Sequence, residues 1–232
     1  MDFAMLSTKI FVYFVKNLFF CCGMWYNTEC GTNGTGICYE GILIVMKEFY
    51  TIDVAGVKRD LPLCALTDEL YIGAFVIFGD VELTVAAAKA LLEKAPEFDI
   101  MITAESKGIP LVYEMARQCG AQNYILARKA PKLYMKNVIK TEVKSITTAR
   151  VQTLYLDQAD VDKMQGKRVL IVDDVISTGE SLHALEVLVE KSGGIIAGRM
   201  AILAEGDAMK RDDILYVQKL PLFDKNGEPI EE

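Results

Sequence analysis

The sequence predicts an α/β fold: an open, mostly parallel sheet flanked by helices. Apolar runs of strand length, such as residues 99–104 and 169–172, alternate with segments such as 81–94, whose apolar residues recur at helical spacing. This alternation is typical of a parallel sheet, because parallel neighbours need a crossover connection that is usually helical. A chain of 232 residues with 52% hydrophobic content can also bury a full core as one domain.

The first 45 residues differ in composition from the rest of the chain. They hold four of the six cysteines and the only tryptophan, with two lysines and no arginine. Lys16 interrupts their apolar run, which therefore suits neither a signal peptide nor a membrane span of roughly twenty apolar residues. We predict that the native domain begins at Met46 and spans 46–232. Residues 1–45 are then an atypical extension, translated from upstream sequence by a start-site error.

The start of the predicted domain contains two strand candidates and a helix. Residues 48–56 alternate well enough for an edge strand that ends at Gly56. Residues 70–78 are apolar and fit either a strand or a loop. Asp80 is predicted to cap a helix over 81–94.

The remaining elements continue the same alternation. Helices are predicted from Gly108 and over 182–189, where apolar residues again recur at helical spacing. Residues 130–149 are polar and lack strong periodicity, which predicts a long basic loop able to close over an anionic ligand. Further apolar runs of strand length lie at 124–127, 151–156, 169–172, 195–203 and 214–217.

Two adjacent carboxylates, Asp173 and Asp174, follow the 169–172 strand, and a Ser/Thr/Gly turn then leads into a helix. In an open parallel sheet, ligands bind outside the carboxyl ends of the strands. A helix N-terminus with flanking hydroxyls binds phosphate, and paired acids suit sugar hydroxyls or a hydrated metal. The segment therefore predicts a site for a phosphorylated sugar. The alternative is an ordinary turn with Ser177 or Thr178 as the N-cap, which would not require paired acids.

This segment resembles the phosphoribosyl-pyrophosphate (PRPP) motif of the type I phosphoribosyltransferases. The resemblance assigns Asp173 and Asp174 to the ribose hydroxyls and to a bound Mg²⁺. It implies the family's parallel sheet with a small hood, built here from the residues after Met46 and the C-terminal tail. It assigns the 5′-phosphate of PRPP to the loop formed by Ser177, Thr178, Gly179, Glu180 and Ser181.

Two further segments resemble the same family. The run Glu105, Ser106, Lys107 and Gly108 follows a strand and resembles the loop that holds the diphosphate of PRPP through backbone N–H groups. The run from Arg128 and Lys129 to Lys132 resembles the Arg-Lys-x-x-Lys pattern of purine phosphoribosyltransferases. The resemblance implies that Arg128 and Lys129 contact PRPP, and that Arg128 and Lys132 contribute positive charge to catalysis.

Three single residues complete the candidate site. Glu142 lies in the loop where adenine-type relatives carry an acid that assists proton handling, although their Glu-Tyr-Gly pattern is absent here. Phe78 resembles the aromatic residue of a Phe-Arg-Asp segment that packs against the base, with Gly79 in place of the arginine. His183, one helical turn past the phosphate loop, is expected to be structural.

The resemblance implies an enzyme that transfers phosphoribosyl from PRPP to a purine base and releases pyrophosphate, with Mg²⁺ and as a homodimer. Adenine is favoured. Xanthine is the alternative base, because residues 145–148 resemble xanthine enzymes. A non-catalytic PRPP-sensing regulator of purine genes is the rival function, since residues 103–111 and 204–207 resemble bacterial purine-operon repressors. Those repressors carry a winged-helix domain, which the first 45 residues do not resemble.

Charge and cysteine usage restrict the partners and the compartment. A net charge of −7 argues against a broad nucleic-acid-binding face, and no membrane partner is expected. Outside the first 45 residues only Cys64 and Cys119 remain, and their isolation in apolar sequence predicts a reducing cytoplasm rather than a disulfide framework.

Overall fold

The fold is that of a computed structural model, which describes residues 38–39, 42–43, 47–144 and 151–230. The chain divides into two units, Met1–Leu43 and Ile44–Glu232. In the first unit, strands β1 (Cys38–Tyr39) and β2 (Ile42–Leu43) pair antiparallel. The predicted start at Met46 lies outside the described residues and stays a prediction.

The second unit contains eleven strands, four α-helices and one 3₁₀ helix within its described residues. In chain order these are β3 (Phe49–Val54), β4 (Val57–Ala65), β5 (Leu70–Gly73), α1 (Val81–Leu92), β6 (Ile100–Ala104), α2 (Gly108–Cys119), β7 (Ile125–Ala127), β8 (Ile139–Lys144), β9 (Val151–Leu156), α3 (Gln158–Met164), β10 (Arg168–Ile176), α4 (Glu180–Lys191), β11 (Ile195–Glu205), the 3₁₀ helix Gly206–Lys210, β12 (Leu215–Leu220) and β13 (Phe223–Asp224).

Five strands form the parallel sheet in the order β12-β11-β10-β6-β7, and every neighbouring pair is parallel. The central strands are covered on both faces, which explains why their sequences are continuously apolar rather than alternating. Within β10, Val169 and Ile171 face one apolar cluster, whereas Leu170 and Val172 face another. The predicted α/β fold is therefore confirmed.

Helices cover the two faces of this sheet. The first apolar cluster takes Leu185 and Leu188 of α4 together with Met164 of α3. The second takes Leu91 of α1 and Met115 of α2. Because side chains alternate along a strand, each central strand contributes to both clusters, and the core is one sheet between two helical layers.

A second sheet is antiparallel and has four strands in the order β13-β5-β4-β3. Its strands precede and follow those of the parallel sheet along the chain, and it forms the predicted hood. The expected edge strand corresponds to β3, and a turn at Ala55 and Gly56 leads into β4, which the sequence did not predict. Residues 70–78 contain both expected alternatives, a short strand and then a loop.

The predicted loop over residues 130–149 is only partly irregular, and this expectation is corrected. Strand β8 occupies its residues 139–144 and pairs antiparallel with β9. Thr141 is buried, with 2% of the residue exposed, so β8 has an inward-facing position that the neighbouring lysines obscure in the sequence. Residues 145–150, which include the 145–148 segment that resembles xanthine enzymes, lie outside the described residues.

Two other sequence expectations concern the surface. Cys64 and Cys119 are free thiols and both are exposed, so the expected apolar surroundings are wrong. Among the described helices, none has the length and apolar character that crossing a bilayer requires.

Candidate functional site

The acidic pair lies at the carboxyl-terminal edge of the parallel sheet. Strand β10 continues to Ile176, so Asp173 and Asp174 belong to its second half rather than to the turn that follows. Strand β10 is the third of the five strands, and its Asp173 is opposite Ala201 of β11. Because all five strands are parallel, the loops after β6, β10 and β11 meet at this same edge.

The two acids differ in their surroundings. Asp174 is buried, with 4% of the residue exposed, and its Oδ2 lies 2.7 Å from Lys107 Nζ. This ion pair lacks hydrogen-bond geometry, since Asp174 Oδ2 has no hydrogen-bond partner among the described residues. Burial, and then the charge of Asp174, raise the pKa of Asp173 well above its usual range.

Lys107 comes from the loop after β6, so the ion pair joins the predicted diphosphate loop to the acidic pair. Its Nζ also lies 3.4 Å from the carbonyl oxygen of Phe75 in the segment before α1. The peptide bond between Glu105 and Ser106 in this loop is cis. The structure thus brings the loop after β6 and the acidic pair of β10 together at one edge of the sheet.

Gly108 allows α2 to begin against the acidic pair. A Cβ at this position would lie 2.1 Å from Thr103 Oγ1 and 3.3 Å from Asp173 Oδ1. Any side chain would therefore push the first turn of α2 away from β6 and β10. The glycine requirement here comes from close approach and not from an unusual backbone angle.

The basic run is anchored by an acid that sequence resemblance assigned to PRPP. Glu105 Oε1 accepts a hydrogen bond from Arg128 Nη1 at 2.9 Å, and Glu105 Oε2 accepts one from the backbone N–H of Lys129 at 2.9 Å. Arg128 Nη2 also donates to the hydroxyl of Tyr134 at 2.6 Å. The hydrogen bond from Lys129 and the charge of Arg128 lower the pKa of Glu105. Lys132 follows in the same loop and is half-buried.

The turn between β10 and α4 has no side-chain cap. Gly179, with φ of 77°, is the N-cap residue of α4, and no side-chain hydrogen bond caps the helix. The alternative in which Ser177 or Thr178 serves as a conventional N-cap is therefore wrong. An N-terminus of this kind presents backbone N–H groups and the positive end of the helix dipole to an anion.

The segment that contains Phe78 is fixed by a side chain from the hood. Asp80 caps α1 as predicted, since its Oδ1 accepts a hydrogen bond from the backbone N–H of Leu83 at 3.1 Å. Arg59 of β4 donates to both oxygens of Asp80, at 2.6 Å and 2.9 Å. Phe78, two residues earlier, is 51% exposed.

Two residues that the sequence singled out, Glu142 and His183, pair with neighbouring side chains rather than with the acidic pair. Glu142 is exposed and pairs with Lys140 at 2.7 Å, and the charge of Lys191 at the far end of α4 also acts on it. His183 is exposed, and its Nδ1 lies 3.3 Å from Glu186 one turn along α4. The structural interpretation of His183 fits this position.

Two residues near the site carried no assignment from the sequence. Glu205 ends β11, and burial raises the pKa of its carboxyl group, whereas the charge of Lys107 opposes this. Its only signal in the sequence is its place in the 204–207 segment, which resembles purine-operon repressors. Arg211 lies against the α4 turn, with Nη1 3.1 Å from the place where a Cβ on Gly179 would stand. A lone arginine in a polar loop gives no sequence signal, because only the fold brings it to Gly179.

A metal ion at this edge would depend on ligand oxygens. Among the described residues, no three His, Cys, Asp or Glu side chains gather to hold a metal ion. Two adjacent carboxylates nevertheless fit Mg²⁺, which keeps several waters and uses substrate phosphates rather than an all-protein cage. A cavity of about 430 Å³ opens elsewhere, beside Tyr50, Asp53 and Lys219, and none of the motif residues lines it.

Curated relatives with similar sequences are adenine phosphoribosyltransferases. The one from Bifidobacterium longum is 38% identical over 115 residues, which cover 47% of this chain and 56% of the relative. The one from Thermotoga petrophila is 37% identical over 109 residues, covering 47% and 60%. The matched part of the chain thus spans less than two thirds of the length of these relatives.

Solved structures show the same fold. The adenine phosphoribosyltransferase of Rhodothermus marinus superposes with a TM-score of 0.52 at 23% identity, covering 75% of this chain and 94% of that one. The enzyme of Trypanosoma brucei, solved with AMP, pyrophosphate and ribose-5-phosphate, gives 0.50 at 18% identity, covering 62% and 67%. The family model for the phosphoribosyl transferase domain matches residues 82–227, more than half of the chain. With the acidic pair, the glycine turn and the lysine loop at one edge of a parallel sheet, the chain belongs to the phosphoribosyl transferase domain family.

Proposed function

We propose that the protein is a purine phosphoribosyltransferase, with adenine as the base, which transfers phosphoribosyl from PRPP and releases pyrophosphate. The observation that supports this proposal is the 2.7 Å ion pair between Lys107 and Asp174, which brings the loop after β6 against the acidic pair of β10. The relatives named above are adenine phosphoribosyltransferases, and this supports adenine as the base.

Phosphoribosyl transfer places chemical demands that this edge of the sheet can meet. A base nitrogen replaces pyrophosphate at the anomeric carbon of ribose, and positive charge grows on the sugar while negative charge grows on the leaving diphosphate. Catalysis then needs positioning, stabilisation of the leaving group and exclusion of water, rather than a protein nucleophile.

The acidic pair is proposed to hold the ribose. Lys107 pairs with Asp174, and we propose that its ammonium group turns to the diphosphate when PRPP binds. This would free Asp174 Oδ2, a buried acceptor without a hydrogen-bond partner in the described part of the chain, for a ribose hydroxyl. Asp173 must ionise to do the same, since its raised pKa favours the protonated acid before the ligand arrives.

The glycine turn is proposed to hold the 5′-phosphate of PRPP. The backbone N–H groups around Gly179 and the start of α4 lie beyond the acidic pair along the chain. Their dipoles and the hydroxyls of Thr178 and Ser181 provide donors for a phosphate dianion. This assignment explains why the helix begins at a glycine that carries no capping side chain.

The basic run is proposed to add charge beside the diphosphate. Glu105 holds Arg128 and the backbone of Lys129 in place, so its role is to position this run rather than to contact PRPP. Lys132 and the segment that follows would approach the ligand from the same side and restrict water. Glu142 has no part in the proposal, because it pairs with Lys140 and lies beside Lys191.

Magnesium fits the acidic pair as a shared ion. Asp173 and Asp174 would hold it together with ribose and diphosphate oxygens, either directly or through its waters. When bound, Mg²⁺ neutralises charge on the leaving diphosphate. Phe78, whose aromatic ring is half exposed, is proposed to pack against the base. Assembly as a homodimer and a location in the reducing cytoplasm remain predictions from the sequence.

Pyrophosphate release tests the proposed activity. Purified protein with PRPP and Mg²⁺ is incubated separately with adenine, xanthine, hypoxanthine and guanine, and the double variant D173N/D174N is the matched negative. We expect release with adenine and loss of release in the variant. Release with xanthine alone would change the base. PRPP binding without release for any base would favour the PRPP-sensing regulator, and no PRPP binding would refute both functions.

A further inference from the structure

A guanidinium group lies against the glycine turn that starts α4. Arg211 Nη1 is 3.1 Å from the point where a Cβ on Gly179 would stand. Since glycine has no side chain, the guanidinium approaches the backbone of the turn directly. Arg211 follows the 3₁₀ helix after β11, so it reaches the turn from a separate part of the chain.

Asp213 fixes the orientation of this guanidinium. Arg211 Nε donates to Asp213 Oδ1 at 2.8 Å, and Arg211 Nη2 donates to Asp213 Oδ2 at 2.7 Å. This two-point contact holds the guanidinium plane and leaves Nη1 as the nitrogen directed toward Gly179. The hydrogen bonds that Arg211 donates to Asp213 also raise the pKa of Arg211, so the group is charged throughout the physiological range.

The same contacts tie the loop to α4 itself. Arg199 Nε of β11 lies 3.5 Å from Asp213 Oδ2 and also pairs with Glu186, in the second turn of α4. A chain of four alternating charges therefore runs from the helix through β11 to Arg211. An arginine placed in this way is held relative to the start of α4 and does not sample solvent as an unpaired surface side chain would.

We propose that Arg211 binds the 5′-phosphate of the sugar substrate through Nη1, and that Asp213 is its positioning residue. This inference rests on the proposed function and deepens it, since it adds a side chain from outside the PRPP motif to the phosphate site. The ligand class is a phosphate monoester dianion on a sugar, for which a planar guanidinium is better suited than a lysine. Sugars without the 5′-phosphate would gain nothing from this contact.

Ribose 5-phosphate separates this contact from the rest of the site, because it carries the 5′-phosphate and no diphosphate. Its dissociation constant is measured by calorimetry for the wild type, R211Q, R211K and the control R117Q. Arg117 makes a comparable two-point contact with Glu114 on α2 and is 59% exposed. We expect about tenfold weaker binding for R211Q, a smaller loss for R211K and no change for R117Q.

The positioning role of Asp213 has its own readout. D213N should weaken ribose 5-phosphate binding by about threefold, and D213E should restore most of it, because the charge is kept. R211Q should also reduce the dependence of binding on NaCl concentration, since one cationic contact is lost. D213N acting through unfolding would instead lower the melting temperature without changing the affinity of the folded fraction.

The outcomes distinguish this inference from the proposed function. If the wild type binds ribose 5-phosphate and R211Q binds it equally well while keeping the wild-type circular dichroism spectrum, Arg211 is not a phosphate ligand. The proposed function would stand in that case. If the wild type binds neither ribose 5-phosphate nor PRPP, the proposed function fails and this inference fails with it.

Discussion

Lys107 Nζ lies 2.7 Å from Asp174 Oδ2, and the two residues are unequally buried: 41% of the lysine side chain is exposed, against 6% for the aspartate. The lysine can therefore leave toward solvent or a ligand, whereas the carboxylate cannot. This asymmetry suits a site in which the lysine ammonium group pairs with the buried carboxylate and can leave it when a ligand binds. It also makes the acid costly to retain when the lysine is removed.

Replacing Lys107 with glutamine should destabilise the ligand-free protein by about 1–2 kcal/mol at neutral pH. Removing one partner of a fully buried ion pair costs about 3–5 kcal/mol, and the exposure of Lys107 reduces this because water can replace part of the contact. Urea unfolding measures the change. The control is K163Q, which breaks the surface pair with Asp160 and should cost less than about 0.5 kcal/mol. Equal effects for the two variants would mean that Asp174 does not depend on Lys107.

The acidic pair should make the ligand-free protein less stable as pH rises. Burial raises the pKa of Asp173 above its ordinary value of 3.8, so the folded state binds the proton more tightly than the unfolded state. This contribution is fully present below 3.8 and is lost as pH rises through the raised folded value. D173N lacks it. The unfolding free energy of the wild type, measured relative to D173N, should therefore fall between about pH 4 and about pH 8.

The same protonation predicts proton release when PRPP and Mg²⁺ bind, since Asp173 must ionise to hold ribose oxygens. Calorimetry in buffers of different ionisation enthalpy measures the number of protons released. D173N should release fewer protons than the wild type. A stability difference that rises with pH, or identical proton release in both proteins, would contradict the raised pKa.

Glu105 should show the opposite pH dependence. The hydrogen bond from the Lys129 backbone, with the charge of Arg128, lowers its pKa below 4.5, so its contribution is present above that value and lost as pH falls through the folded pKa. E105Q should cost about 1 kcal/mol at neutral pH, and the cost should shrink in acid. Urea unfolding at several pH values tests this, with E93Q at an exposed site as control. A cost that persists in acid would point to packing rather than charge.

The sequence predicted the structure best where one short segment contains a strand, the residues at its end and the turn that follows. The run from Val169 through Gly179 specifies a strand buried on both faces, two acids and a glycine turn, and the fold agrees with each. The basic run that starts at Arg128 follows a strand, β7, as predicted. Its contact with Glu105 was not predicted, because Glu105 precedes the run by more than twenty residues and only the pairing of β6 with β7 brings the two together.

Contacts between distant elements account for what the sequence could not predict. Arg211 is close to Gly179 only because β11 lies beside β10 in the sheet. Strand β8 was missed because its inward residues Ile139 and Thr141 alternate with the charged residues Lys140 and Glu142, and pairing with β9 overrides that weak local pattern. The hood strand β4 was missed for a related reason: its register is set by β3 and β5 rather than by its own composition.

Gly108 should be intolerant of even a methyl group, because a Cβ would stand 2.1 Å from Thr103 Oγ1 on the fully buried β6. G108A should destabilise the protein by about 1–3 kcal/mol through overpacking and should weaken PRPP binding, since α2 would move away from Asp173. T103A removes the obstructing hydroxyl. The double variant G108A/T103A should therefore be less destabilised than the sum of the two single variants. Urea unfolding of all four proteins measures this coupling, and strictly additive costs would show that Thr103 is not what excludes a side chain at Gly108.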